Sequence, residues 1–127
     1  MKTIDDLDAF TRAYIEALFF TEAGPDSEDI TTDSEFSQEA LTELAQDCKE
    51  FQFSAEGHMV GCSRGGSRYT VQEQAGHDFW LTRNGHGAGF WDGDWPEKHG
   101  AVLDRIAKDF GEIWAYLGDD GFIYFAH

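Results

Sequence analysis

Apolar residues recur at the three- and four-residue intervals of an amphipathic helix in three stretches of this chain. The first stretch spans residues 3–21, where Thr3 is placed to cap the helix and Gly24-Pro25 to end it. The pattern predicts a helix that buries one side against the rest of the protein. The residues on that side are Ile4, Leu7, Phe10 or Thr11, Tyr14 and Leu18.

The second and third helical stretches are residues 38–52 and 96–110. Ser37 precedes the second as a capping residue, and Pro96 suits the first turn of the third. We expect both helices to pack on a common core. The residues predicted to be buried are Leu41, Leu44, Ala45, Cys48 and Phe51 in the second helix, and Val102, Leu103, Ile106, Ala107 and Phe110 in the third.

Two shorter stretches, residues 78–92 and 112–126, have the apolar runs and turn residues that favour β-hairpins. Together with the helices they predict one α+β domain spanning residues 1–127. In this prediction about three helices pack on an antiparallel sheet that is made from the two hairpins. The turns joining the strands are Asn84-Gly85 and Asp120-Gly121.

Charge is distributed unevenly over these elements. The chain of 127 residues has 25 acidic residues against 9 Lys and Arg, a net charge of -16. Residues 1–50 alone contain 14 acidic and 3 basic residues. Such a molecule repels nucleic acid and anionic membranes and attracts basic protein surfaces. We therefore expect no direct binding of nucleic acid.

The predicted second helix concentrates this charge on one side. Its carboxylates recur at helical spacing, opposite the apolar side, with Lys49 as the one nearby base. Consecutive carboxylates lie about 6 Å apart along the axis, close to the spacing of phosphates along a DNA strand, about 6–7 Å. This spacing suits a binding surface for a basic partner, and the same composition equally suits a solubilising or halophilic surface. The candidate residues are Asp26, Glu28, Asp29, Asp33, Glu35, Glu39, Glu43, Asp47 and Glu50.

Patterns for catalysis or cofactor binding are weak. His77, His86 and Asp92 are candidate metal ligands, but they lie far apart on the predicted hairpin. The loop 61–68 has the glycines and arginines of a phosphate cradle without its Gly-Lys-Ser/Thr ending. Cys48 falls on a buried side, which argues against a nucleophile. We expect no enzymatic activity, no metal and no cofactor.

The chain also lacks the features of a membrane or secreted protein. No apolar run approaches the roughly 20 residues that span a bilayer, and the start of the chain has no signal-peptide pattern. Cys48 and Cys62 make no disulfide framework. These features predict a cytoplasmic protein with free thiols.

The stretch 75–92, AGHDFWLTRNGHGAGFWD, resembles the core of a group of small acidic proteins encoded by bacteriophages and prophages. The turn 118–121, GDDG, is similar to theirs as well. The resemblance covers about residues 70–127, and the helical first half only in outline. It brings no catalytic residue with it. It implies a phage or mobile-element protein that acts in the cytoplasm of a bacterial host.

Charge and phage context lead to a functional hypothesis by analogy. Anti-CRISPR and anti-restriction proteins include acidic DNA mimics, and we expect an inhibitor that docks on the basic surface of a nucleic-acid-binding defence complex. The alternative is a structural or assembly protein that binds a phage or host partner through the aromatic hairpin 78–92. That alternative requires Trp80, Phe90 or Trp91 to be exposed, with Trp95 as an additional contact. A third hypothesis, a small enzyme or nucleotide binder, requires the loop 61–68 and the histidines.

Overall fold

The computed structural model describes residues 7–22, 30, 34–59, 70–85, 89–90 and 95–126. These residues form four helices and one antiparallel hairpin, so the predicted α+β class is confirmed with four helices instead of about three. The helices are α1 (Ala9–Glu22), α2 (Gln38–Ser54), α3 (Val71–Arg83) and α4 (Glu97–Asp109), and the strands are β1 (Trp114–Leu117) and β2 (Ile123–Ala126).

Helix α1 begins later than the predicted start at residue 3, because Asp8 caps it. The Asp8 carboxylate accepts a hydrogen bond from the Thr11 amide at 2.8 Å, and the Asp8 carbonyl accepts from the Arg12 amide at 2.9 Å. These contacts satisfy amides that have no partner within the helix. Thr3 and Gly24-Pro25 lie outside the described residues.

Helix α2 agrees with its prediction at both ends to within two residues. The Ser37 hydroxyl accepts from the Ala40 amide at 3.0 Å, as a capping serine should. Four of the five residues expected on its inner side are buried, and Ala45 is half-buried. The buried four are Leu41, Leu44, Cys48 and Phe51.

The predicted hairpin over residues 78–92 is wrong, because residues 71–83 form helix α3. Thr70 and Glu73 make a reciprocal capping box at its start, with hydrogen bonds of 3.1 and 2.9 Å. Gly85, with a φ of 70°, follows the last helical turn in the left-handed conformation that ends many helices. Asn84-Gly85 therefore ends a helix here instead of joining two strands. Residues 86–88 and 91–94 lie outside the described part.

Helix α4 and the hairpin that follows it confirm the predictions for residues 96–110 and 112–126. In the hairpin, Trp114 pairs with Ala126 and Leu117 with Ile123. The segment before α2 adds to β2, since the Ile123 amide donates to the Glu35 carbonyl at 2.8 Å and the Ser37 amide to the Ile123 carbonyl at 3.0 Å. This pairing holds the start of α2 beside the sheet.

An aromatic cluster joins the helices at the centre of the core. Phe51 of α2 stacks on Phe79 of α3, with ring centroids 4.3 Å apart, and also lies near Phe10, Phe90 and Phe110. Stacked and tilted pairs of this kind contribute beyond the burial of their area. Residue 79, expected on a strand, instead packs from the middle of a central helix.

Helices α1 and α3 cross closely because residue 76 is glycine. A Cβ atom at Gly76 would collide with the carbonyl oxygen of Phe10 and approach the Cβ of Ala13 at 3.2 Å. The absence of a side chain therefore sets the distance between the two helices.

We expect Gly76→Ala to destabilise the protein. Alanine in a helix interior normally stabilises the helix by up to about 1 kcal/mol relative to glycine. Here the methyl group meets backbone, and the crossing has to open at a cost of about 1–3 kcal/mol. Urea unfolding of the variant measures the difference. Gln72→Ala, at an exposed position of the same helix, is the control, and equal stability of the two variants would contradict the close crossing.

We expect the cap at Asp8 to make stability depend on pH. Partial burial acts to raise the pKa of Asp8, but the hydrogen bonds from Thr11 and Gln52 outweigh it and lower the pKa below 3.8. A lowered folded-state pKa stabilises the fold above 3.8, and this contribution is lost as the pH falls through the folded value.

Asp8→Ala should therefore lower the free energy of unfolding by about 0.5–2 kcal/mol at pH 7. The difference between the variant and the parent should shrink when the pH is lowered below 3.8. Chemical unfolding at several pH values measures it. Asp8→Asn keeps the acceptor and should retain most of the cap at pH 7. A constant difference across this pH range would show that the charge of Asp8 does not contribute.

Candidate functional site

The acidic residues predicted to bind a partner are divided between described and undescribed parts of the chain. Glu39, Glu43, Asp47 and Glu50 lie on α2, and Glu35 is exposed just before it. Asp26, Glu28, Asp29 and Asp33 lie outside the described residues.

Three of the α2 carboxylates form a narrow row on the outer side of the helix. At 100° per residue, Glu39, Glu43 and Glu50 fall within about 40° of one another, whereas Lys49 lies about 80–120° away from them. Glu39 and Glu50 are exposed, and Glu43 is half-buried. We call these three residues the acidic row.

Asp47 interrupts the acidic row, because its carboxylate points to a buried cation. Its Oδ2 lies 2.9 Å from Nη1 of Arg83, whose side chain is 1% exposed. The charge of Asp47 is therefore compensated inside the protein. The sequence predicted four carboxylates spaced about 6 Å apart along the helix axis. Without Asp47, the axial spacing is about 6 Å between Glu39 and Glu43 and about 10 Å between Glu43 and Glu50.

Arg83 is bound on every side by groups from separate segments. Its Nη1 also donates to the Tyr14 hydroxyl at 3.1 Å, and its Nε and Nη2 donate to the carbonyls of Gly111 and Phe110 at 2.9 and 3.3 Å. Its Cζ lies 5.4 and 5.5 Å from the ring centroids of Phe79 and Phe110, within cation–π distance. The guanidinium thus links α1, α2, α3 and the end of α4.

Burial shapes the protonation of this cluster. Desolvation raises the pKa of Tyr14 far above its usual range, which keeps the hydroxyl neutral. Burial acts to lower the pKa of Arg83, but Tyr14 and Asp47 outweigh it and raise the pKa. The cluster is therefore one buried cation, one carboxylate and one neutral hydroxyl, and it serves to hold the fold together.

Other polar side chains of the 75–92 stretch also face inward. Asp78 accepts hydrogen bonds from the Gln74 amide at 3.1 Å and from the Trp95 indole at 2.7 Å. The Trp80 indole donates to the Thr21 hydroxyl at 2.8 Å. In the part of the stretch that the structure describes, these groups serve to fix the core.

The aromatic residues required by the alternative hypothesis are buried. Trp80, Phe90 and Trp95 are each at most 4% exposed, while Trp91 lies outside the described residues. Binding through these side chains would require opening the core, which contradicts a docking surface built on Trp80 and Phe90 of the segment 78–92, with or without Trp95. Among the residues that the structure describes, the exposed large apolar side chains are Phe20, Phe53, Trp114, Tyr116 and Phe122.

Groups suited to catalysis or metal binding do not converge in the described part of the chain. Burial raises the pKa of the Cys48 thiol well above its ordinary value, which makes it a poor nucleophile. Among the described residues, no three His, Cys, Asp or Glu side chains are placed to hold a metal ion. His58 and His99 do meet, with their Nδ1 atoms 3.1 Å apart. Cys62, His86, Asp92 and the loop 61–68 lie outside the described residues.

The acidic row borders a groove that reaches the hairpin. An open groove of about 510 Å³ runs along α2 and is lined by Gln38, Glu39, Thr42, Glu43, Gln46 and Asp47. A smaller cavity of about 240 Å³ adjoins it, lined by Glu39, Ala40, Glu43, Tyr116, Tyr124 and Phe125. Glu39 and Glu43 belong to both, so the acidic row is continuous with the aromatic side of the sheet.

Sequence reasoning missed the Arg83–Asp47 pair and the tyrosines beside the acidic row. The pair joins residues 36 positions apart, and no local pattern indicates such a contact. Tyr116 is exposed and Tyr124 is half-buried on their strands.

No family model matches the chain, and neither the curated proteins nor the solved structures contain a match. None of the helices within the described residues has the length and apolar character needed to cross a membrane. The resemblance to acidic phage proteins stays a prediction.

Replacement of Arg83 should show that the cluster is structural. We expect Arg83→Ala to lower the free energy of unfolding by about 3–5 kcal/mol, because removal of the guanidinium leaves the charge of Asp47 uncompensated beside the core. Arg83→Lys should recover only part of this, since an ammonium cannot reproduce the fork that reaches Asp47, Phe110 and Gly111. Urea unfolding measures both. Arg105→Ala, at an exposed position, should stay within about 0.5 kcal/mol of the parent; a similar value for Arg83→Ala would contradict the assignment.

Proposed function

We propose that the protein is a non-enzymatic inhibitor encoded by a phage or mobile element. In this proposal it binds a nucleic-acid-binding defence complex of the bacterial host, such as a CRISPR effector or a restriction enzyme. Its acidic surface occupies basic residues that otherwise contact DNA phosphates.

The observation that supports this proposal is the acidic row on α2. Three carboxylates share one side of a helix whose opposite side is anchored in the core by Leu44, Cys48 and Phe51. Like charges four residues apart destabilise a helix by a few tenths of a kcal/mol. Stability of the helix therefore does not explain the row. A partner with clustered Lys and Arg would offset that cost on binding.

The proposal rests on the carboxylates of α2 and its neighbourhood that do not pair with Arg83. Asp47 is paired with Arg83 and also lines the groove. Glu35, Glu39, Glu43 and Glu50 are the other proposed carboxylates on and beside α2. Asp26, Glu28, Asp29 and Asp33 extend the proposed surface from sequence alone.

The decisive variant reverses the acidic row: Glu39→Lys, Glu43→Lys and Glu50→Lys together. We expect it to fold, because no residue of the row is buried, and to lose at least roughly tenfold in affinity for the defence complex, about 1.4 kcal/mol. Plating efficiency of a targeted phage on cells that express each variant gives the cellular readout. DNA binding by the purified effector at 50 and 200 mM salt gives the direct one.

A matched control changes the net charge equally at another place. Glu97, Asp109 and Glu112 are exposed on or after α4, and their reversal to Lys should leave most of the inhibition in place. Thermal unfolding establishes that both triple variants are folded. Inhibition that survives reversal of the acidic row, or that is lost equally in the control, would contradict a specific acidic surface.

A further inference from the structure

The cavity between α2 and the hairpin combines two kinds of wall. Glu39 and Glu43 line it from the helix, and Tyr116, Tyr124 and Phe125 line it from the sheet. Its volume of about 240 Å³ is below the range of about 300–1,000 Å³ typical of small-molecule pockets. A cavity of this size suits one protruding side chain.

The two tyrosine rings are held in place by contacts of their own. Their centroids lie 6.0 Å apart with an interplanar angle of 25°. The Tyr124 hydroxyl donates to Asp120 at 2.6 Å, and Asp120 also accepts from the Phe122 amide at 3.0 Å. Tyr116 stays 45% exposed, so one ring is fixed and its neighbour is open to solvent.

The electrostatic field in the cavity favours a cation. The hydrogen bond to Asp120 is the largest cause of the raised pKa of Tyr124, and the nearby charges of Asp120 and Glu39 act in the same direction. An aromatic face beside carboxylates attracts a cation in two ways, through the ring quadrupole and through direct charge pairing.

We propose that this cavity receives an arginine side chain of the partner, with the guanidinium over the tyrosine rings and paired to Glu39 or Glu43. Arginine fits better than lysine because its planar group stacks on rings and binds carboxylates through two parallel hydrogen bonds. The identity of the partner as a nucleic-acid-binding complex rests on the proposed function. The preference for arginine rests on the cavity itself.

The test titrates the isotopically labelled protein with N-acetyl-arginine methylamide and, separately, with the lysine analogue, followed by NMR. We expect the arginine probe to shift the Tyr116 and Tyr124 ring signals and the Glu39 and Glu43 amides, and to bind more tightly than the lysine probe. Shifts spread evenly over all acidic residues, or equal affinity for the two probes, would overturn the proposal.

Variants on one strand provide matched controls. Tyr116→Ala should weaken the arginine probe about two- to fivefold, the range for an exposed cation–π contact, and Tyr116→Phe should restore it. Trp114→Ala removes an aromatic side chain that is 51% exposed on the same strand but does not line the cavity, and should have no effect. An unchanged affinity for Tyr116→Ala would overturn the proposal.

The two proposals fail in different experiments. If the arginine probe binds at the cavity while reversal of the acidic row leaves inhibition intact, the proposed arginine site is supported and the inhibitor proposal is wrong. If inhibition depends on the acidic row while the arginine probe shows no preference for the cavity, the inhibitor proposal stands and the arginine site is wrong.

Discussion

The buried guanidinium of Arg83 is the interaction on which the rest of the described structure depends. Its hydrogen-bond partners are Tyr14 from α1, Asp47 from α2, and the carbonyls of Phe110 and Gly111 after α4. A buried cation is tolerated only while its partners stay in place. Packing of the aromatic cluster around Phe51 is non-directional, whereas the planar guanidinium of Arg83 donates hydrogen bonds only in fixed directions. We infer that Arg83 sets how the helices are oriented relative to one another.

This arrangement explains why the most distinctive stretch of the sequence is a weak place to look for activity. Residues 75–92 contain the His, Asp, Arg and Asn side chains of many active sites. Yet Asp78 binds the Trp95 indole, and Asn84 binds the Trp80 carbonyl at 3.0 Å and the Ile113 amide at 2.9 Å. Within the described residues these polar groups are engaged in joining segments, and the proposed recognition surface lies elsewhere, on the outer side of α2 and the sheet.

The sequence predicted the elements whose signals are local. Ser37, the apolar side of α2, Pro96 before α4 and the turn at Asp120-Gly121 each specify structure within a few residues. The strand prediction for residues 79–83 is wrong because that run is compatible with either a strand or a buried helix, and Asn84-Gly85 suits both a hairpin turn and a helix end. The capping box of Thr70 and Glu73 was the local signal that favoured the helix. The Arg83–Asp47 pair and the cavity beside Tyr116 depend on distant segments, which no local pattern specifies.

The same helix both anchors the core and presents the acidic row, and this dual role has a physical consequence. Phe51 and Asp47 fix the inner side of α2 through ring stacking and an ion pair. Two backbone hydrogen bonds, from the Ser37 amide to the Ile123 carbonyl and from the Ile123 amide to the Glu35 carbonyl, fix its start beside β2. A helix held in this way can carry repelling carboxylates on its outer side without unfolding locally. For the proposed inhibitor, this means that the charges are preorganised before docking, so less conformational entropy would be lost than with the same carboxylates on a flexible segment.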